Sequence, residues 1–468
     1  MAVGGLRPSL GWIGMPIRRA SSVTTMRGRR ATALWRWAIA VGVYLVAVFH
    51  RTSLGVAGLQ AASRFGISPS QLSIFILLQL GIYAGMQIPT GILVDRYGPR
   101  RLLVVAAGTM GVAQLLFAVA DSYPLALLAR AVLGLGDALT FVSVLRFAAG
   151  QFAPRRYPVV VALTGTLGQF GNLVATLPLT ALLHRAGWTP TFLGAGLLSL
   201  VSGAAVYLLL PRSPRLERRP REASALLESL RGVGRRVDTA WSLAGTRVGF
   251  WVHFASMSTS LAFGVLWGVP FMVEGQRLSR NAAGAVLLFS VLLAIVIGPP
   301  IGYLIGRHPV TRVPLAIGTS LVTVLGWYAV LAAFSDPMPH WLLVALVLVT
   351  ATGGPVSSIG FALARDYNGP AIVGTATGVV NVAGFVASIV ACLSLGWTLD
   401  LLGSTTLGSY RLAFAVAVTV QAVGLLQMVR WWLRARQWAL HTLELGRPVP
   451  VPVVRHRWDL GTGDRVES

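Results

Sequence analysis

The chain has 468 residues, 55% of them hydrophobic and only 12% charged, with a mean hydropathy of +0.70; a soluble protein of this length would be roughly a quarter charged. The apolar residues come in blocks of about 20, the length that crosses a bilayer, and no soluble core could absorb so many of them. A net charge of +24 raises the question of a nucleic-acid partner, but the arginines sit in short loops and tails between apolar blocks, where membrane topology is written, so no nucleic-acid partner is expected.

In chain order, residues 1–34 read as a polar tail. Seven arginines lie in the first 36 residues, with no apolar run before Ala31, which argues against a cleavable leader. Six apolar blocks follow at about 35–57, 71–94, 101–120, 124–150, 158–183 and 188–210. A stretch rich in Arg and Pro, 211–246, separates them from six more at about 247–272, 281–306, 313–334, 340–364, 373–399 and 410–433. Within the separator, Ser224 to Arg236 predicts a short amphipathic helix on the membrane surface. The expected organisation is thus an N-terminal bundle over 35–210, a central loop over 211–246, a C-terminal bundle over 247–433 and a second tail over 434–468. The fold class is an all-α membrane protein of twelve transmembrane helices in two six-helix bundles.

The arginines also predict orientation. Placing both termini in the cytoplasm puts Arg96, Arg100, Arg101, Arg155, Arg156, Arg212 to Arg236, Arg307, Arg312 and Arg365 inside. Only Arg64, Arg185, Arg277, Arg280 and Arg411 then fall outside, which satisfies the positive-inside rule. All basic residues are arginine, with no lysine. Cys392, the single cysteine, cannot form an intrachain disulfide and reads as a small core residue.

The two halves echo each other. Gly91, Arg96 and Arg101 after the second block align with Gly302, Arg307 and Arg312 after the eighth, at an offset of 211. Thr164, Gly165 and Gly171 align with Thr377, Gly378 and Gly384 at an offset of 213. Near-constant offsets at two separated places argue for an ancient duplication, the plan of many secondary transporters.

The string Gly91-x-x-x-Asp95-Arg96-x-Gly98-x-Arg100-Arg101, in the loop between the second and third blocks, resembles the signature of the major facilitator superfamily. The resemblance covers roughly 35–435. It implies a cytoplasmic latch in which Asp95 and the arginines hold the halves together in an outward-open state. A carboxylate near a helix N-terminus and guanidinium donors has the physical means to do so. The second copy has Gly306 where an Asp would stand, so the latch is expected mainly from the first half, with Arg307 its counterpart. Arg130-x-x-x-Gly134-x-Gly136 in block four also fits the family, where an Arg at this place is linked to proton coupling. Block five has the glycines of a drug-antiporter signature but lacks its proline.

Candidate solute or coupling groups are the polar residues inside the blocks. Arg51 lies roughly 20 Å into the first helix, and an intramembrane Arg marks a site by default; its fork suits a carboxylate or phosphate. Sugar-phosphate permeases, which the chain resembles loosely, use an Arg in this helix for the anion. Tyr44 shares its face. Gln79, Tyr83 and Gln87 form a stripe expected to face a central chamber. Arg130 and Asp137 lie seven apart on one helix face. Gln169, Asn172 and Asn381 are further chamber candidates, whereas Gly168 and Gly171 read as packing residues. Gly or Pro interruptions are expected at Trp267–Pro270, Gly298–Pro300 and Gly353–Pro355. His253 reads as a satisfied interface histidine.

No phosphate loop, metal-spaced cluster or ATP site appears, so neither enzyme activity nor a cofactor or metal is expected. The resulting expectation is a secondary transporter of a small polar solute, an anion among the candidates, in a bacterial inner membrane. It would work by alternating access, use a proton or other coupling ion, and act as a monomer. A proton-coupled exporter and a non-transporting polytopic receptor are the alternatives.

Overall fold

The computed structural model describes residues 21–67, 69–211 and 225–453. Twelve helical spans follow one another. Spans 1 to 6 are Ser21–Phe65, Pro69–Tyr97, Pro99–Val119, Tyr123–Ala138 continued by Thr140–Gln151, Tyr157–Ala186, and Trp188–Leu209. Span 7 is Ala244–Ala262, continued through Phe263–Trp267, Gly268–Pro270 and Phe271–Gly275. Spans 8 to 12 are Arg280–Arg307, Arg312–Ala333, His340–Ala351 continued by Gly353–Tyr367, Val373–Leu402, and Leu407–Glu444. Among the described residues there is no strand, and nine of these segments are long and apolar enough to cross a bilayer; spans 2, 5 and 7 complete two sets of six.

Span edges extend beyond the apolar blocks. Span 1 is helical from Ser21, inside the stretch expected as a tail, and span 12 runs on to Glu444. The predicted amphipathic segment is the linker helix Ala225–Ser242, which packs on spans 2, 7 and 11. Ser224 lies outside the described residues.

Helix interruptions fall where backbone hydrogen bonding is lost. Span 7 widens into π-helical turns on either side of Gly268–Pro270, since Pro270 has no N–H to donate and a π-turn absorbs the gap. Span 10 breaks at Thr352, beside Gly353–Pro355. Span 8, expected to break, stays helical through Pro299 and Pro300. There Gly298 and Gly302 sit close against Thr166 and Pro158–Ala162 of span 5, which holds its course. Span 4 breaks at Leu139, which no Gly or Pro announced.

The buried side chains reveal how the halves meet. We call the side on which span 1 starts and span 12 ends the terminal face. Near it, one apolar cluster joins Trp37, Val41, Phe141 and Val160 of the first half to Phe361, Ala364, Ala376 and Val380 of the second. Toward the opposite face the clusters separate. One around Phe117, Trp188 and Phe192 belongs to the first half, and one around Phe271, Trp327 and Phe414 to the second. Inter-half contacts run between spans 2 and 11, 5 and 8, 5 and 10, and the end of span 4 and span 11.

Candidate functional site

At the terminal face a polar contact between the halves is centred on Asp95, in the last turn of span 2 and 5% exposed. One carboxylate oxygen accepts the Gly374 N–H at 2.9 Å, and the other accepts the Thr375 N–H at 2.8 Å and hydroxyl at 3.0 Å. These donors are the first turn of span 11, where the helix dipole and free N–H groups favour an anion. Arg146 of span 4 completes the set, its Nε at 3.0 Å from Asp95. A buried carboxylate stays charged only when paired in this way. Gly91 permits the approach, for a Cβ there would lie 2.5 Å from the Gly374 carbonyl oxygen. Gly98 starts span 3 with φ of 81°, a region closed to most side chains.

Two arginines reach across the seam in a mirrored way. Arg146 Nη2 donates to the Pro370 carbonyl at 2.7 Å, just before span 11. Arg365, near the end of span 10, donates to the Ala149 and Phe152 carbonyls at 3.1 and 2.6 Å, at the end of span 4. Its guanidinium also lies over the Tyr157 ring at 4.8 Å. Cations at a helix C-terminus gain from the dipole and cap free carbonyls.

Deeper along the seam, Asn381 donates to Gln87 at 2.5 Å, joining spans 11 and 2. One helical turn further on, Tyr83 packs on Phe385 of span 11 with ring centroids 4.8 Å apart. The other side of Tyr83 meets Arg51, whose guanidinium carbon sits 4.5 Å from the ring centroid. Arg51 forms a two-pronged pair with Asp137, Nε and Nη2 each 2.8 Å from a carboxylate oxygen. Asp137 side-chain exposure is 1%, that of Arg51 25%. The pair therefore presents its cation outward and keeps its anion behind.

Arg130 lies elsewhere. It bonds Gln79, and its Nη1 lies 3.4 Å from the His50 carbonyl and 3.5 Å from the Ser53 hydroxyl. His50 in turn touches Ser199 and Gln114 at 3.2 and 3.1 Å. All of these groups are buried within the first half, where such a network fixes the packing of spans 1, 2, 3, 4 and 6.

The sequence profile described as "Major Facilitator Superfamily" matches residues 40–391 and 252–458. The chain belongs to the Major Facilitator Superfamily. Members with similar sequences include the probable sulfoacetate transporter SauU of Cupriavidus necator, 23% identical over 82% of this chain and 90% of that protein. The probable galactarate/D-glucarate transporter GudP of Escherichia coli K12 is 22% identical over 79% and 88%. Among solved structures, the superfamily's proton:xylose symporter XylE overlays with a TM-score of 0.65 at 15% identity, covering 86% of this chain and 96% of that one. FucP in an outward conformation gives 0.64 at 14%, covering 86% and 99%. As a member of the superfamily, the chain is a multi-pass membrane transporter and not an enzyme.

The superfamily string is distributed over different tasks. Asp95 and Gly91 lie at the seam. Arg100 donates to the Tyr207 carbonyl at 2.5 Å and stacks on that ring, tying spans 3 and 6. Arg96 lies over Tyr97, and Arg307 donates to Tyr303 at 2.7 Å on its own helix. Arg101 has a partner as well. Gly306 is filled from across the seam, since a Cβ there would lie 2.2 Å from the Arg155 carbonyl oxygen.

Of the inner-block candidates, Arg51, Tyr83 and Asn381 come together at the seam, with Asp137 behind Arg51. Gln87 joins them, while Gln79 turns into the first half. The stripe they share faces packed helices, with Gln79, Tyr83 and Gln87 all nearly fully buried. Tyr44 packs against Phe141 and against Gly168, where a Cβ would meet its ring. The Asn172 side chain lies outside the described residues. His253 Nδ1 meets the Ser357 carbonyl at 3.3 Å. Sequence reading passed over Arg146, Phe385 and the reach of Arg365 to span 4. An arginine near the terminal-face end of a span looks like any topology signal, and a lone phenylalanine in an apolar run carries no mark.

Proposed function

We propose that this transporter carries a small organic anion by alternating access, with Arg51 as the cation that receives it. The carrying observation is the state of Arg51. Two of its N–H groups serve Asp137, and an arginine has five. Its side chain remains a quarter exposed about two-thirds of the way along span 1, beside Tyr83, whose ring touches the second half. In this reading the exposed part of the guanidinium faces the seam between halves. A carboxylate or sulfonate matches the free part of the fork, and the relatives named for sulfoacetate and for galactarate or glucarate support such a solute.

Asp137 supplies the coupling in this reading. While ionised it holds two of the guanidinium donors; a proton on Asp137 releases them to the solute. Gln87 and Asn381 offer amides one turn nearer the terminal face. The terminal face is cytoplasmic, as the excess of arginine in its loops supports, so the described arrangement, fused there and parted opposite, is outward-facing. The setting is a bacterial inner membrane and the working unit a monomer.

The test uses the purified chain in proteoliposomes. Uptake of labelled galactarate or sulfoacetate is measured with and without an imposed pH gradient. Saturable uptake that an inward proton gradient stimulates, and that Arg51→Gln abolishes, is expected. Wild-type flux that survives Arg51→Gln would overturn the site.

A further inference from the structure

Outside the seam, a grouping of cations and aromatic rings lies on the second half at the terminal face. It is formed by the end of the linker helix, the start of span 7 and the end of span 12. Trp431 is its centre. The Arg247 guanidinium carbon sits 4.6 Å from the Trp431 centroid and that of Arg434 sits 4.9 Å from the same ring. Arg247 also lies 5.9 Å from the Trp241 ring and donates through Nε to the Trp241 carbonyl at 2.7 Å. Two guanidinium groups share one indole, and no carboxylate bridges them among the described residues. Span 12 carries no acidic residue between Leu407 and Leu443.

The same helix shows where the bilayer meets water. Val423 and Leu426 are exposed at 48% and 70%. Seven and eight residues on from them, Arg430 and Arg434 are exposed on the same face. Leu426 and Arg434 are about 12 Å apart along the axis. The surface thus passes from aliphatic to cationic within two turns. Nearby in span 7, the Trp251 indole N–H is buried with no partner in the structure, beside the Phe250 and Phe254 rings.

We propose that this grouping is a binding site for an anionic phospholipid. The phosphate would be held by Arg247, Arg434 and Arg430, with Trp431 between the cations and the acyl chains along Val423 and Leu426. A pair of guanidiniums on one ring, bridged by no carboxylate among the described residues, is relieved by a shared anion, and indoles favour the headgroup level of a membrane. A basic pocket between spans at this level fits a phospholipid headgroup. A lipid seated here would join the linker helix, through Trp241, to spans 7 and 12.

The full chain is delipidated in detergent and its thermal unfolding followed while one additive is titrated. The three additives are phosphatidylglycerol, phosphatidylcholine and inorganic phosphate. Stabilisation is expected from phosphatidylglycerol alone. Arg434→Gln, whose side chain is exposed and so leaves folding intact, should weaken that response about fivefold, and Arg247→Gln with Arg434→Gln further. Arg277→Gln, exposed at the opposite face, should leave it unchanged. Equal stabilisation by phosphatidylcholine or by phosphate, or an unaltered response in Arg434→Gln, would overturn the site.

Discussion

Asp95 and Thr375 meet across the seam between the halves, one carboxylate oxygen of the first taking both the backbone N–H and the hydroxyl of the second. The two residues are 280 apart in sequence. Because Thr375 belongs to the first turn of span 11, separating the halves at this face must expose a carboxylate and a helix end together. The contact is therefore a term in the conformational equilibrium and not only in folding.

Asp95→Asn keeps the shape and removes the charge. Hydrogen bonds to a charged group contribute about 1.5–3 kcal/mol and neutral ones about 1 kcal/mol. The closed terminal face should lose about 1–2 kcal/mol, a shift of roughly tenfold in the ratio of closed to open molecules. Spin labels at the ends of spans 2 and 11, in a Cys392→Ser background, report the distance across the seam. An unchanged distance distribution in Asp95→Asn would show that the contact does not govern the equilibrium.

Gly306→Asp would complete the second copy of the superfamily string, yet it is expected to weaken closure. The Cβ would enter the van der Waals shell of the Arg155 carbonyl, which is backbone and cannot rotate away. Spans 5 and 8 should part, raising the open population in the same distance measurement. Tighter closure in this variant would contradict the steric reading.

The span order was legible because a bilayer imposes a length on every crossing, so blocks such as 101–120 and 373–399 stand out without any contact being known. The duplication was legible from Gly91 and Gly302. The site was legible only as a set of expensive residues: Arg51, Asp137 and Asn381 are costly in lipid wherever they point. Their partners were not legible. Arg130 and Asp137 share a helix face, yet their partners differ: Asp137 takes Arg51 of span 1, while Arg130 turns to Gln79 of span 2 and to His50 and Ser53 of span 1. Helical spacing says which side chains are neighbours on one helix and nothing about which helix they meet. Arg146 was hidden for the same reason, as one arginine among many near the terminal-face ends of spans.

Arg51 and Arg130 should therefore answer differently to substitution. Arg51→Lys keeps a charge but loses the two-pronged fit, and uptake should fall sharply while the protein stays folded. Arg130→Gln leaves Gln79 without its partner inside the first half, a cost of about 1–3 kcal/mol. It should lower the thermal unfolding temperature while uptake per folded molecule persists. Initial uptake rates normalised to folded protein, measured beside thermal melts, separate the two. Loss of normalised uptake in Arg130→Gln would assign that residue to transport.

Arg146 and Arg365 occupy mirrored places but carry unequal loads. Arg146 serves both Asp95 and the Pro370 carbonyl, whereas Arg365 serves carbonyls at the end of span 4. Arg146→Gln should open the terminal face more than Arg365→Gln does. Contacting residues couple and separated ones add, so Arg146→Gln combined with Asp95→Asn should open it less than the sum of the single effects. Arg365→Gln combined with Asp95→Asn should give close to that sum. The same label pair on spans 2 and 11 measures all five variants. Additivity in the first combination would mean that Asp95 holds span 11 through the N–H groups and hydroxyl of that span alone, with Arg146 acting only on Pro370.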